Sequence, residues 1–172
     1  MNTLNLGLAG LGHGRTLLQE NLSGNEDLPI RVTVFCDTDQ PLAESLAMEH
    51  SIDTVTTDFN ELVDRDDIDI VGIYTPGPLH CEHIVAALEA GKHVMVTKSM
   101  VYTMEEVERV VDAVDRTGQV LLVTQTMRGD AKHMESKRLC DSGAIGDPFF
   151  VEATYIHDLR PVYDLSLIHI SE

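Results

Sequence analysis

Clustered glycines follow an apolar run near the start of the chain, within residues 4–15. Gly10 and Gly12 fit the first two positions of a Gly-x-Gly-x-x-Gly turn, whereas Arg15 occupies the third and Gly14 comes one residue early. A backbone without Cβ atoms at Gly10 and Gly12 can turn tightly and approach a pyrophosphate, whose charge is met by the N–H groups and dipole of the following helix. The pattern also fits an ordinary flexible turn, so its meaning depends on the elements around it.

A carboxylate and an amine directly follow later apolar runs. Asp37 comes after residues 30–36, where a carboxylate can accept hydrogen bonds from an adenosine ribose and repel a 2′-phosphate, which favours NAD over NADP. The same side chain could cap a helix starting near Gln40 or Pro41, either in place of that role or together with it. Lys98 is the only lysine at the end of a predicted strand. It is either a surface lysine or a group that exchanges a proton with a substrate hydroxyl beside an oxidised nicotinamide.

Histidines near the start of a predicted helix raise the question of a metal site. His80, Glu82 and His83 would need a third ligand from elsewhere, so capping and surface roles are favoured for them. Cys81, on the apolar face of the same helix, is predicted to be a small core residue. His13 begins the first helix, where it would touch the pyrophosphate or face water.

Short apolar runs without strict alternation predict strands that are buried on both faces. They occur at residues 4–9, 30–36, 70–74, 94–96 and 120–123, with a shorter strand near 54–57. Helices are predicted between them, starting near Arg15, Pro41 and Phe59, over the apolar positions of 81–88, and over 104–114, where Thr103 and Glu106 form a capping box. This alternation predicts an α/β fold with a doubly wound parallel sheet.

Ligands of such sheets bind beyond the carboxyl ends of the strands. The segments that leave the predicted strands are 10–14, Asp37, 75–80, 97–99 and 125–126, so most of the polar and glycine-rich residues gather at one edge. This convergence supports a nucleotide cofactor more strongly than any single motif.

Composition excludes several classes of partner. The chain has 172 residues, 43% of them apolar, and 29 acidic against 12 basic side chains give a formal charge of −17. Without a basic patch, nucleic acid and anionic membranes are not expected as partners. Three scattered cysteines argue against a disulfide framework, and neither a signal peptide nor an apolar run of membrane-spanning length is recognised. A cytoplasmic protein is expected.

Several of these motifs together resemble the glucose-fructose oxidoreductase and inositol dehydrogenase family, Gfo/Idh/MocA. They are the glycine segment 7–14, Asp37, Thr75-Pro76 with His80, the run 86–94, and 142–146. The resemblance implies a Rossmann domain over residues 1–126 and an NAD(P)-dependent oxidoreductase that acts on a sugar, polyol or related hydroxyl compound, with a homo-oligomer when the protein is full length. It implies Lys98 as the catalytic residue, and as cofactor-binding residues Gly10, Leu11, Gly12, His13, Gly14, Asp37, Thr75, Pro76, His80 and Lys98, with no metal.

The chain also departs from the family pattern. Where the family has Glu-Lys-Pro, this sequence has Thr97-Lys98-Ser99, so only the lysine carries over. Residues 127–164, with a helix near 132–142 and a strand near 149–156, resemble the truncated start of an α/β substrate domain, and the family's downstream Asp-x-x-x-His pair is not matched by His157 and Asp158. Residues 165–172 resemble a translated sequencing adapter, which predicts an N-terminal fragment that is itself inactive.

Two other classes of function also fit the sequence. A non-catalytic dinucleotide-binding or sensor protein would explain the altered residues beside Lys98 and the unmatched acid–histidine pair. An adenosylmethionine-dependent methyltransferase also uses a glycine-rich turn and an acid after the second strand, although the 75–80 and Lys98 segments argue against it.

Overall fold

The computed structural model describes residues 3–18 and 27–156. The chain divides into two compact units, residues 1–124 and residues 125–172. The first unit contains the six-stranded sheet, and the described part of the second, up to residue 156, contains a short 3₁₀ turn followed by one helix. No helix among the described residues is long and apolar enough to cross a bilayer.

Strands and helices alternate along the described chain. The strands are β1 (Leu4–Ala9), β2 (Ile30–Cys36), β3 (Thr54–Thr56), β4 (Ile70–Ile73), β5 (His93–Thr97) and β6 (Leu121–Thr124). The helices are α1 (Leu11–Thr16), α2 (Gln40–His50), α3 (Phe59–Val63), α4 (His80–Glu89), α5 (Met104–Thr117) and α6 (Ala131–Asp141). Every predicted strand of the first unit is confirmed to within one or two residues.

The six strands form one parallel sheet in the order β3-β2-β1-β4-β5-β6. Helices cover both faces, as the continuous apolar character of the strands predicts. On one face α1 and α2 pack on β1 and β2 around Leu8 and Phe35. On the other, α3, α4 and α5 pack around residues such as Val71 and Ile84. The strand order reverses between β1 and β4, which makes this pair the switch point of the doubly wound sheet.

The start of α5 agrees with the sequence prediction, whereas the start of α1 does not. The capping box at α5 is confirmed, because Thr103 accepts from the Glu106 N–H and Glu106 reaches back to the Thr103 N–H. The first helix begins at Leu11 and not near Arg15. Gly10 adopts a left-handed conformation that reverses the chain immediately after β1, so the helix starts without an intervening loop.

The second unit differs from expectation in one element. The predicted helix is confirmed as α6, with Asp130 capping it through the Lys132 N–H. The strand predicted near residues 149–156 is wrong for this structure, because those residues are exposed and have no strand pairing among the described part of the chain. An apolar segment becomes a strand only when another backbone satisfies its hydrogen bonds. His157, Asp158 and the octet 165–172 lie outside the described residues.

Candidate functional site

Parallel register brings the ends of neighbouring strands to one level. The Gly10 N–H donates to Cys36 O at 2.9 Å, and the Tyr74 N–H donates to Ala9 O at 2.8 Å. In the same row, Ile73 pairs with Val96. The residues that follow β1, β2, β4 and β5 therefore emerge side by side at the carboxyl edge, as the sequence predicts.

Gly10 allows two of these strand ends to approach closely. Its φ is +85°, and a Cβ atom built there would lie 2.4 Å from the carbonyl carbon of Tyr74 and 2.5 Å from the Thr75 nitrogen. Both contacts are with backbone, which cannot rotate away. Glycine is thus required at the switch point for conformational and steric reasons together.

The next two glycines face opposite environments. Gly12 is exposed, and a Cβ atom there would meet nothing within 4 Å, so the backbone faces open space on the outside of the turn. Gly14 is buried, and its Cβ position lies 3.3 Å from Tyr74 Cβ and 3.4 Å from Leu8. Gly14 therefore permits the close helix–strand packing associated with the third glycine of the fingerprint, although it comes one residue early.

Asp37 joins the end of β2 to the glycine turn. Its Oδ2 accepts from the Leu11 N–H at 2.6 Å, and its Oδ1 accepts from the Asp39 N–H at 2.9 Å. The alternative expectation that Asp37 caps α2 is wrong, because Asp39 is the N-cap and accepts from the Leu42 N–H at 3.1 Å. The half-buried Asp37 carboxylate is thus held at the edge with acceptor capacity left over.

His80 differs most from the capping and surface roles favoured for it. It is 1% exposed, with Nε2 2.8 Å from Thr75 O and Nδ1 2.7 Å from Ser99 O. Since both ring nitrogens contact protein carbonyls, the side chain is not available as a direct cofactor ligand. The expected contribution of His80 to cofactor binding is therefore indirect.

The other two members of the histidine cluster have separate partners. His83 contacts the Thr75 hydroxyl at 2.9 Å and stacks on Phe59 with ring centroids 3.9 Å apart. Burial lowers the pKa of His83, and the positive charge of His80 acts in the same direction. Glu82 forms a bidentate ion pair with Arg109. No group of ligands suited to a metal ion occurs among the described residues.

Lys98 lies just beyond β5, and its side chain is exposed. Within the described residues its amine has no hydrogen bond or ion pair. The peptide bond between Lys98 and Ser99 is cis. The amine is thus free to contact a ligand at the carboxyl edge.

The remaining predicted site residues are placed as follows. The Leu11 side chain is fully buried, and its N–H is already bonded to Asp37. His13 is exposed on α1, with its ring centroid 6.2 Å from that of Tyr74. Thr75 is half-buried and Pro76 is exposed in the segment after β4.

Sequence reasoning missed Tyr74 as part of this edge. Its side chain packs with the α1-side core, and its backbone forms the wall against which Gly10 lies. Burial raises the pKa of Tyr74, and a hydrogen bond with Thr124 partly opposes that shift. In the sequence, Tyr74 is the last residue of an apolar run, and that run predicts only a strand.

This fold and edge define a dinucleotide-binding domain of the Rossmann type. The chain belongs to the Gfo/Idh/MocA family, because the family model described as an oxidoreductase family with an NAD-binding Rossmann fold matches residues 4–125. An NAD-binding family favours NAD over adenosylmethionine as the ligand of the glycine turn.

Relatives of this chain include enzymes of sugars and cyclitols. It is 32% identical over 165 residues to a levoglucosan dehydrogenase from Pseudarthrobacter phenanthrenivorans, covering 92% of this chain and 42% of the relative. It is 28% identical over 177 residues to a glycosyl hydrolase family 109 protein from Shewanella pealeana, covering 93% and 37%. The solved scyllo-inositol dehydrogenase from Lactobacillus casei with bound NAD(H) and scyllo-inositol matches with a TM-score of 0.78 and 26% identity, covering 85% and 43%. The chain thus spans less than half the length of these proteins.

Proposed function

We propose that this chain is the cofactor-binding part of an oxidoreductase that transfers a hydride between NAD and a hydroxyl group of a sugar, polyol or related compound. The observation that supports this most is the grouping of three features at one sheet edge. They are an open glycine turn, a fixed carboxylate and an amine that has no partner in the part of the chain that the structure describes. Each of these groups matches a different part of a dinucleotide and its substrate.

The glycine turn and Asp37 fit the pyrophosphate and the adenosine ribose. The open space outside Gly12 would let a pyrophosphate approach the backbone without meeting a side chain. Asp37 would accept hydrogen bonds from the ribose hydroxyls with its remaining lone pairs, while its charge disfavours the extra phosphate of NADP. Its bonds to the Leu11 and Asp39 N–H groups keep that carboxylate in place before any ligand arrives.

Lys98 is proposed as the group that exchanges the hydroxyl proton. In alcohol oxidation NAD, when bound, would supply the hydride acceptor, and the hydroxyl proton would go to a base on the protein. The exposed Lys98 amine can take that proton in its neutral form and return it in the reverse reaction. The alcohol would thereby become a carbonyl product.

We also propose a division of the chain into two domains. Residues 1–126 would form the cofactor domain, and residues 127–164 would belong to a substrate domain. Sequencing the source DNA past the codon for Asp164 tests this interpretation. A reading frame that continues into a domain with an Asp-x-x-x-His pair supports it, whereas a gene that ends with this sequence favours a cofactor-binding or sensor protein.

Cofactor binding can be measured on the chain itself. Titration calorimetry with NAD, NADP and adenosylmethionine should rank NAD first, because of Asp37. A chain that binds adenosylmethionine and not NAD would refute the proposal.

Turnover is to be measured on the full-length protein. NADH formation is followed with a panel of cyclitols, hexoses and anhydrosugars as substrates. Lys98→Ala should abolish turnover while NAD binding is retained, and undiminished turnover would refute the role of Lys98. NAD binding without turnover of any substrate would favour the sensor alternative.

A second candidate is glycoside cleavage. It is favoured by the similarity to glycosyl hydrolase family 109 proteins and to an α-N-acetylgalactosaminidase from Shewanella oneidensis, 28% identical over 170 residues. Release of a chromophore from an aryl N-acetylgalactosaminide, with no net NADH formed, would distinguish this activity from dehydrogenation.

A further inference from the structure

His80 is one of two polar or charged side chains that are buried among the described residues; the other is Lys92. A buried polar group is costly unless its hydrogen bonds are made, so each of these bonds is informative about the role of its residue. Lys92 donates to Arg65 O, in the loop that precedes β4. The His80 bonds lie at the opposite edge, where the proposed cofactor binds.

The two carbonyls that His80 contacts belong to different strand ends. Thr75 follows β4, and its hydroxyl contacts His83. Ser99 directly follows Lys98 after β5 and is 19 residues away from His80 in sequence. The imidazole therefore lies between the segment that borders the glycine turn and the segment that carries the amine.

We propose that His80 is a positioning residue that anchors the Lys98–Ser99 turn to the segment after β4, and thereby holds the Lys98 amine at the cofactor edge. This inference rests on the proposed function, in which Lys98 exchanges a proton with the substrate. Among the described residues the Lys98 side chain has no partner, so its position depends on the backbone that carries it. The Ser99 carbonyl belongs to the residue next to Lys98, and it contacts the buried side chain of His80.

The chemistry of the ring suits this task. A carbonyl oxygen can only accept, so the contact with Ser99 is a hydrogen bond when Nδ1 carries a proton, and both contacts are hydrogen bonds at once when both ring nitrogens carry one. The imidazole is rigid and lies on the first turn of α4, whose residues Cys81 and Ile84 belong to the buried core. Movement of the Ser99 carbonyl away from the ring would leave a buried nitrogen unpaired.

Two conservative variants separate the two bonds. The amide nitrogen of asparagine is as many bonds from Cα as Nδ1, whereas that of glutamine is as many bonds from Cα as Nε2. His80→Asn should therefore keep the bond to Ser99, and His80→Gln should keep the bond to Thr75. His80→Leu removes both while leaving an apolar side chain in the core.

Hydrogen–deuterium exchange of the backbone provides the readout on the whole chain without ligand. The peptide covering residues 97–102 should exchange about tenfold faster in His80→Leu and His80→Gln than in the unmodified protein. In His80→Asn it should stay close to the unmodified rate. The strand peptide covering residues 4–9 serves as the internal reference for global opening.

The pattern of rescue decides the proposal. If His80 has only a structural role, exchange should follow the free energy of unfolding in all three variants. The asparagine and glutamine variants should then exchange alike. Equal exchange of the 97–102 peptide in those two variants, or no change with leucine, would overturn the anchor. Should the leucine variant fail to fold, the asparagine–glutamine comparison decides alone.

NAD titration of the same proteins keeps this inference distinct from the proposed function. Slower exchange of residues 97–102 on NAD addition, retained in His80→Asn and lost in His80→Gln, supports both. If the unmodified chain does not bind NAD but the ligand-free rescue pattern holds, the proposed function fails and the anchor of the Lys98 backbone stands. If NAD binds and the rescue pattern is absent, only the anchor fails.

Discussion

Gly10 and Gly12 form a matched pair whose substitution by alanine should separate folding from cofactor binding. At Gly10 an alanine would hold a φ of +85° and place its Cβ 2.4–2.5 Å from the backbone of Tyr74 and Thr75. The left-handed conformation costs an alanine about 1–2 kcal/mol, and overpacking against fixed atoms costs about 1–3 kcal/mol more. We therefore expect Gly10→Ala to lower the free energy of unfolding by about 2–5 kcal/mol.

At Gly12 the same change should leave the fold intact. A Cβ atom there meets nothing within 4 Å, and alanine favours the helical conformation that this residue adopts. The methyl group would instead occupy the open side of the turn, where the proposed pyrophosphate lies. Loss of one charge-assisted hydrogen bond is worth about 1.5–3 kcal/mol, which corresponds to a roughly 10- to 150-fold weaker affinity for NAD.

Thermal unfolding and calorimetric titration of both variants test this reasoning. Gly10→Ala should lower the Tm by about 4–20 °C, whereas Gly12→Ala should not lower it. Normal NAD affinity in a folded Gly12→Ala protein would refute the placement of the pyrophosphate at this turn. An unchanged Tm for Gly10→Ala would refute the steric argument at the switch point.

Three further predictions concern the groups around this edge. Asp37→Asn should narrow the preference for NAD over NADP about tenfold, because the charge that repels a 2′-phosphate is lost; in competition titrations, the cap variant Asp39→Asn should keep the full preference. His83 has a lowered pKa when folded, so its contribution to the free energy of unfolding is lost as the pH falls below about 6.5, where the unfolded chain binds more protons. Denaturant unfolding across that range should show a weaker pH dependence for His83→Gln, and an identical profile would contradict the assignment. Burial, with the charge of Asp37 adding to it, raises the pKa of Cys36 to about 12. Iodoacetamide should therefore modify the exposed Cys140 in the native protein and Cys36 only after unfolding, and mass spectrometry of early labelling would reveal the opposite order.

The sequence alone determined the features that are encoded within a few residues. Apolar runs located the strands because a strand buried on both faces needs such residues at every position. Thr103 and Glu106 predicted the start of α5 because the two groups of a capping box are only three residues apart. The glycine turn, Asp37 and Lys98 could be assigned to one edge because parallel strands all end on the same side of the sheet.

Tertiary structure decided which partner each of these residues meets. Asp37 and Asp39 are both near the start of α2, and only the register of β1 beside β2 brings the Leu11 N–H to Asp37 and leaves the cap to Asp39. His80 occupies a helix start, where a surface position was expected, yet packing of α4 on the sheet buries its ring between two strand ends.

The strand expected near residues 149–156 shows the same limit. Its apolar residues satisfy the pattern, but they adopt no strand in the structure. Strand pairing, burial and the spacing of groups from separate strands depend on contacts between residues far apart in sequence. A local pattern contains no information about those distances, so they become fixed only when the chain folds.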